Sequence, residues 1–248
     1  VVRIGAIFYR YRKFFIPAAM LIVLAIFRPV VPAGSRALDT LLDVVGVAVA
    51  LCGQSLRAAV IGYVYILRGG KDGKAYAEDL VTGGLFAHAR NPLYLGNLIL
   101  LAGLLTIYNS PAAYLVVLPL AIFFYSAIIA AEEAYLRGRF GEAFEAYCER
   151  VPRWIPDFRG IRKTVAGMSF NWRRLVRKEY GSAYAWILAA LLLRVWVVST
   201  HAAYADERPY LLWYLLPFGL ATLGWATARF MKKQRRLVDR PAFSASRG

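Results

Sequence analysis

The chain has 248 residues, of which 59% are hydrophobic and 15% aromatic, and a formal net charge of +16. A soluble domain sits nearer half apolar, so this composition excludes an ordinary globular protein and indicates the membrane class. The charge does not indicate a nucleic-acid binder, because Lys and Arg fall between apolar runs and do not gather on one soluble face.

Apolar runs predict six spans, at about 14–31, 38–67, 93–108, 112–131, 184–198 and 210–228. Each must approach ~20 residues to cross a ~30 Å hydrocarbon layer at 1.5 Å per residue. The third and fifth are short, and the second is long enough to project beyond the bilayer. The fold class is therefore all-α and polytopic, with about six transmembrane helices. Residues 1–13 are basic, but the apolar run after them is long enough to span, so they read as a flank and not as part of a cleaved leader. Between the second and third spans, residues 68–80 read RGGKDGKAYAEDL, a polar loop without the pattern of a phosphate-binding loop.

Residues 132–156 predict a helix. Phe140, Phe144, Tyr147 and Cys148 make one apolar stripe, and Pro152 ends it. Such a helix lies on the membrane surface or caps the bundle. Residues 157–183 are strongly basic and suit the anionic cytoplasmic leaflet. The tail from 229 reads as basic and then disordered. Cys52 and Cys148 form neither a disulfide framework nor a metal-type cluster.

Lys and Arg decide orientation. With a cytosolic N-terminus the inside segments carry four in 1–13, four in 68–91, eleven in 132–183 and seven in 229–248, which is 26 of 31. Outside loops then hold Arg28, Arg36 and Arg208, while Arg57 and Arg194 lie within spans. Both termini are expected in the cytosol. A charge inside a span usually faces the bundle interior or a cavity. Arg57 and Arg194 are accordingly candidates to hold an anionic substrate headgroup, and pairing or snorkelling is the alternative.

Residues 81–156 organise the rest. His88, Arg90 and Asn91 precede the third span, and Glu132 and Glu133 end the fourth. If the two spans pack antiparallel through the Asn109-Ser110-Pro111 turn, these polar clusters meet on one side of the membrane. The ordered elements are Leu80-Val81-Thr82-Gly83-Gly84, then Arg90-Asn91-Pro92-Leu93-Tyr94-Leu95-Gly96, then Glu132-Glu133, Phe140-Gly141, Tyr147 and Val151-Pro152-Arg153-Trp154-Ile155-Pro156. In order and spacing they resemble the signature of the isoprenylcysteine carboxyl methyltransferase and phospholipid methyltransferase family, over roughly a third of the chain.

The resemblance implies an integral-membrane methyltransferase that uses S-adenosyl-L-methionine on a lipid or small hydrophobic acceptor. It implies cofactor contacts at Glu78, Asp79, Leu80, Val81, Phe86, Asn91, Pro92, Leu93, Tyr94 and Glu132, to which Arg90 and Tyr147 are added as side chains of the right type for the carboxylate and the ring. Arg57, Arg194 and Glu133 are kept for substrate. In-line methyl transfer needs orientation and water exclusion, not a metal or a covalent nucleophile. The implied organisation is N-terminal helices at 1–67, a methyltransferase core at 68–156, and a basic linker, accessory hairpin and tail at 157–248. The 132–156 helix caps the cofactor site on the cytosolic side.

Two positions depart from the family pattern. Asn91 stands where His is usual in eukaryotic members, and Asn cannot titrate. Ile128 stands where the isoprenylcysteine enzymes resemble one another in having a substrate-binding Arg four residues before the cofactor Glu. The acceptor half therefore carries over less well than the cofactor half. A membrane reductase related to sterol reductases and using NADPH stays open as an alternative. So does a non-enzymatic lipid-binding or transport protein.

Overall fold

A computed structural model describes residues 1–64, 77 and 79–237, with backbone alone at 12–17, 19–20 and 23–24. Glu78, nearly all of the 68–80 loop and the tail beyond 237 lie outside the described residues. The described chain is helical and contains no strand: α1 (Val2–Ile26), α2 (Arg36–Tyr63), α3 (Pro92–Tyr108), α4 (Pro111–Phe140), α5 (Glu142–Arg150), α6 (Ile161–Ala166), α7 (Trp172–Thr200) and α8 (Leu215–Lys233).

Local chemistry sets the helix ends. Ser35 Oγ accepts from Leu38 N at 3.3 Å and caps α2. Asn171 Oδ1 accepts from Arg174 N at 2.9 Å and caps α7. Pro92 and Pro111 open α3 and α4, where a missing N–H costs nothing. Asn109 closes α3 with φ 51°, a left-handed conformation that Asn tolerates. Gly141 ends α4, also at φ 51°.

Four described segments are long and apolar enough to cross a membrane: Arg36–Tyr63, Pro111–Phe140, Trp172–Thr200 and Arg208–Lys233, with Pro92–Tyr108 apolar but shorter. Leu115, Ile122 and Phe123 on α4 and Leu216, Leu220 and Leu223 on α8 stay exposed, as side chains facing lipid do. The protein is an integral membrane protein of all-α, polytopic architecture.

Several boundaries differ from expectation. The first helix runs Val2–Ile26 and so ends before residue 31. The fifth span is not short, since α7 begins at Trp172 and absorbs the basic 173–178 stretch into a 29-residue helix. A hydropathy pattern cannot see such a charged extension. The stretch 132–156 is not one helix either. α4 continues through Glu132 and Glu133 to Phe140, Gly141 breaks it, and α5 follows. The apolar stripe survives the break, because Phe144, Tyr147 and Val151 form a small core with Leu80, Leu136, Phe140 and Cys148.

α2 and α3 pack antiparallel along a seam of small residues. Gly46, Ala50, Gly53 and Arg57 face Gly96, Leu100, Gly103 and Ile107. A Cβ on Gly103 would lie 2.5 Å from Ala50 N and 2.5 Å from Gly46 O; one on Gly53 would lie 2.6 Å from Leu100 N. These neighbours are backbone atoms and cannot rotate away. Small residues allow such approach where lipid supplies no hydrophobic drive between helices. Gly103→Val is expected to destabilise the protein by at least about 1–3 kcal/mol through overpacking. Gly224→Ala on α8, where a Cβ meets nothing within 4 Å, is expected to be neutral or stabilising. Thermal unfolding of both variants in one detergent checks the pair.

α1 packs antiparallel on α4 by the same device. A Cβ on Gly5 would collide with Ala127 O at 1.9 Å, and Phe8 stacks on Phe124 with ring centroids 4.5 Å apart. α3 and α4 are thus each clasped by an N-terminal helix, and their polar ends are held side by side.

Candidate active site at one end of the bundle

The N-terminus of α3 and the C-terminal third of α4 meet. Glu133 is 5% exposed and takes two guanidinium groups. Arg90 Nη1 lies 3.3 Å from its Oε1, and Arg153 donates from Nε to Oε1 at 3.2 Å and from Nη2 to Oε2. One buried carboxylate is thus shared by two guanidinium groups. Arg90 Nε is buried and has no hydrogen-bond partner. A buried charged donor left unpaired is costly, so this group is poised for an anionic acceptor.

Backbone pairing fixes the entry to α3. Arg90 N donates to Pro152 O at 2.9 Å and Asp157 N to His88 O at 2.8 Å, so the 151–157 segment lies against the 88–91 segment. Asn91 Nδ2 donates to Arg153 O at 3.2 Å. His88 is 7% exposed, with Nδ1 2.6 Å from Asp157 O and Nε2 2.9 Å from Thr164 Oγ1. A carbonyl only accepts, so Nδ1 donates to Asp157 O, while Nε2 is hydrogen-bonded to the Thr164 hydroxyl. Both ring nitrogens are engaged, and His88 ties the loop to α6.

The loop before α3 lies between two small apolar cores. Leu80 packs with Phe144, Tyr147 and Val151; Val81, Phe86 and Leu93 pack with Val60, Val64, Leu85 and Met168. Gly84 has φ 61°, a left-handed conformation that favours glycine. Tyr147 is buried, and its hydroxyl donates to Phe86 O at 2.8 Å. Burial raises its phenol pKa, so it stays a donor across the physiological range. Tyr147→Phe is expected to weaken methyl-donor binding severalfold, about the worth of one hydrogen bond. It should raise KM more than it lowers kcat, and steady-state kinetics checks that split.

Of the residues singled out from sequence, the structure brings together Arg90, Asn91, Pro92, Glu133, Phe86 and Tyr147 around this corner. Glu133 is the carboxylate that meets Arg90; Glu132 is one residue earlier, about 100° around the helix. Tyr94 turns toward α4, its ring 5.3 Å from that of Tyr125, and borders the cluster of Tyr9, Phe124, Tyr125 and Ile128. Ile128 is fully buried there. Asp79 is exposed.

Arg57 and Arg194 are elsewhere. Arg57 is 3% exposed between α2, α3 and α7. Its Nε and Nη2 donate to Glu179 at 2.9–3.0 Å, and Nη1 donates to Asn97. Arg194 lies at the other end of the bundle and pairs with Asp39 at 2.8 Å and Asp43 at 3.3 Å. In each case a carboxylate inside the bundle matches the charge. Sequence reading missed Arg153, although it lies in the Val-Pro-Arg-Trp-Ile-Pro run. It also missed Glu179 and Asn97. Their signals were an acid among bases and a polar side chain inside an apolar span.

Residues 43–143 match the phospholipid methyltransferase family. A 77-residue stretch is 36% identical to the protein-S-isoprenylcysteine O-methyltransferase of Schizosaccharomyces pombe and covers 31% of this chain. The matched stretch spans 33% of that relative's length. No solved structure matches the chain.

Proposed function

We infer that this chain, whose residues 43–143 match the phospholipid methyltransferase family, is an integral-membrane methyltransferase that draws its methyl group from S-adenosylmethionine at the Arg90–Glu133 corner. The observation that carries this reading is the unpaired, buried Nε of Arg90 beside a carboxylate already shared by two guanidiniums. That donor set fits the carboxylate of an amino-acid moiety. S-adenosylmethionine supplies an electrophilic methyl on a sulfonium sulfur.

The chain's own residues orient and shield. Arg90 binds the carboxylate end, held in place by Glu133. Glu132, on the same helix end, offers an acceptor for the ammonium. Asp79–Val81 offer backbone groups to the adenine edge and ribose; Glu78, assigned with them on the resemblance, lies outside the described residues. Phe86 and Tyr94 present aromatic faces that suit a flat ring and a sulfonium cation. Tyr147 works through the Phe86 carbonyl and keeps the loop in register. Asn91 carries no proton in the reaction and fixes the 153 backbone. Placing donor and acceptor in line, with water excluded, is worth several kcal/mol.

The acceptor is hydrophobic and enters from the membrane. Ile128, at the position where the isoprenylcysteine enzymes carry a substrate Arg, is buried among Tyr9, Phe124 and Tyr125 beside Tyr94, which favours a lipid or a small hydrophobic molecule over a free carboxylate. The site and both termini face the cytosol on the distribution of Lys and Arg. Titration of the purified full chain with S-adenosylmethionine and with NADPH tests the reading. Saturable binding of the first, lost in Arg90→Ala, is expected; tight binding of NADPH alone reverses the assignment toward a reductase.

A further inference from the structure

A cavity of about 490 Å³ opens at the other end of the bundle, between α2, α3, α7 and the turn before α8. Val47, Ile107, Ile187, Ala190 and Leu191 give it an apolar body, and Thr40, Asp43, Trp186, Arg194 and Tyr214 are its polar lining. It is remote from Arg90, because Ile107 lies 15 residues along α3 from Pro92, about 22 Å.

The charges at its mouth are unequally satisfied. Asp39 accepts from Arg194 Nη1 at 2.8 Å, from the Tyr204 hydroxyl, and from Asn109 Nδ2 at 3.4 Å. Burial and the bond to Asp39 push the Tyr204 phenol up to about 12, so it remains a donor. Arg194 also rests over the Tyr204 ring at 4.5 Å. Asp43 has one contact, Oδ2 to Arg194 at 3.3 Å, and its buried Oδ1 has no hydrogen-bond partner. The next cation, Arg36, is paired with Asp206 and Glu207. Two carboxylates against one guanidinium leave the mouth one negative charge in excess. Deeper in the same cavity, Trp186 is 9% exposed, and its indole N–H also lacks an acceptor. Two of the residues lining this cavity thus each carry a buried polar atom without a partner among the described residues. Buried polar groups in that state mark a missing partner.

We propose that this cavity binds an amphiphile with an ammonium head: the head seats on the Asp43 carboxylate, and the chain lies along Val47, Ile187 and Leu191. The site is separate from the methyl-transfer corner and does not depend on that reading. Its occupant is either a membrane lipid with an amine head or a free amphiphilic amine.

The test uses the full chain in phosphatidylcholine nanodiscs, with dodecylamine as probe and dodecyl sulfate as the control of equal chain length. Saturable dodecylamine binding is expected, at least tenfold weaker in Asp43→Asn and in Ala190→Phe, which fills the cavity and keeps the head group's partner. Ala190→Phe decides the matter if Asp43→Asn does not fold. Adding phosphatidylethanolamine to the discs separates the sources. Competition assigns the site to a lipid, unchanged affinity assigns it to a free amine, and both support it. Equal binding of dodecyl sulfate, or dodecylamine binding undiminished in Ala190→Phe, overturns the proposal.

Discussion

Glu133→Ala is expected to weaken methyl-donor binding at least 100-fold, about 2.7 kcal/mol, and to lower stability as well. The reason lies in the pairing. One buried carboxylate holds Arg90 and Arg153 in place. Its removal leaves two cations repelling each other at a shielded corner, and losing one partner of a buried pair typically costs about 3–5 kcal/mol. Arg153 is 45% exposed and can turn to water; Arg90, at 15%, cannot do so as readily. Most of the cost therefore falls on the group proposed to bind the cofactor. Glu133→Gln keeps the shape and one acceptor, so it should fall between wild type and alanine. Calorimetric titration with S-adenosylmethionine, alongside thermal unfolding, reads both effects. Unaltered affinity in the alanine variant would mean that the methyl donor binds elsewhere.

The second large effect concerns the middle of the bundle. Arg57→Ala is expected to destabilise the protein by about 3–5 kcal/mol, and Glu179→Ala by a similar amount. The guanidinium and carboxylate are 4% and 3% exposed, and they join α7 to the α2–α3 pair. Truncating either one leaves the other charged in a medium that cannot solvate it. The double variant Arg57→Met with Glu179→Leu should recover much of the loss, because neither charge is then orphaned. A thermodynamic cycle in detergent measures the coupling. If the single variants prove additive, the pair carries no coupling and α7 is held by packing alone.

Much of this architecture was legible in the sequence. Apolar runs located the membrane helices, and the Asn109-Ser110-Pro111 turn located the hairpin. The order of Arg90-Asn91-Pro92, Glu132-Glu133 and Val151-Pro152 indicated that their side chains converge. Other features were hidden for physical reasons. Hydropathy reports burial in lipid and not helix length, so α7's charged first turns and α4's run to Phe140 went unseen. Adjacent acids on a helix point about 100° apart, and only the packing of Arg90 and Arg153 selects Glu133. The partner of Arg57 lies 122 positions away, which no local pattern encodes. The seam of Gly46, Gly53, Gly96 and Gly103 was present as a spacing of small residues, but its meaning rests on which two helices touch.

The central claim is that the Arg90–Glu133 corner carries methyl transfer to a hydrophobic acceptor. It is tested most directly by incubating the purified full chain in nanodiscs with methyl-labelled S-adenosylmethionine and a total membrane lipid extract. Label should pass into an organic-soluble product with wild type, fall at least 100-fold with Arg90→Ala, and stay unchanged with Arg208→Gln in the loop at the far end. Intact cofactor and no labelled product from the folded wild-type protein would contradict it.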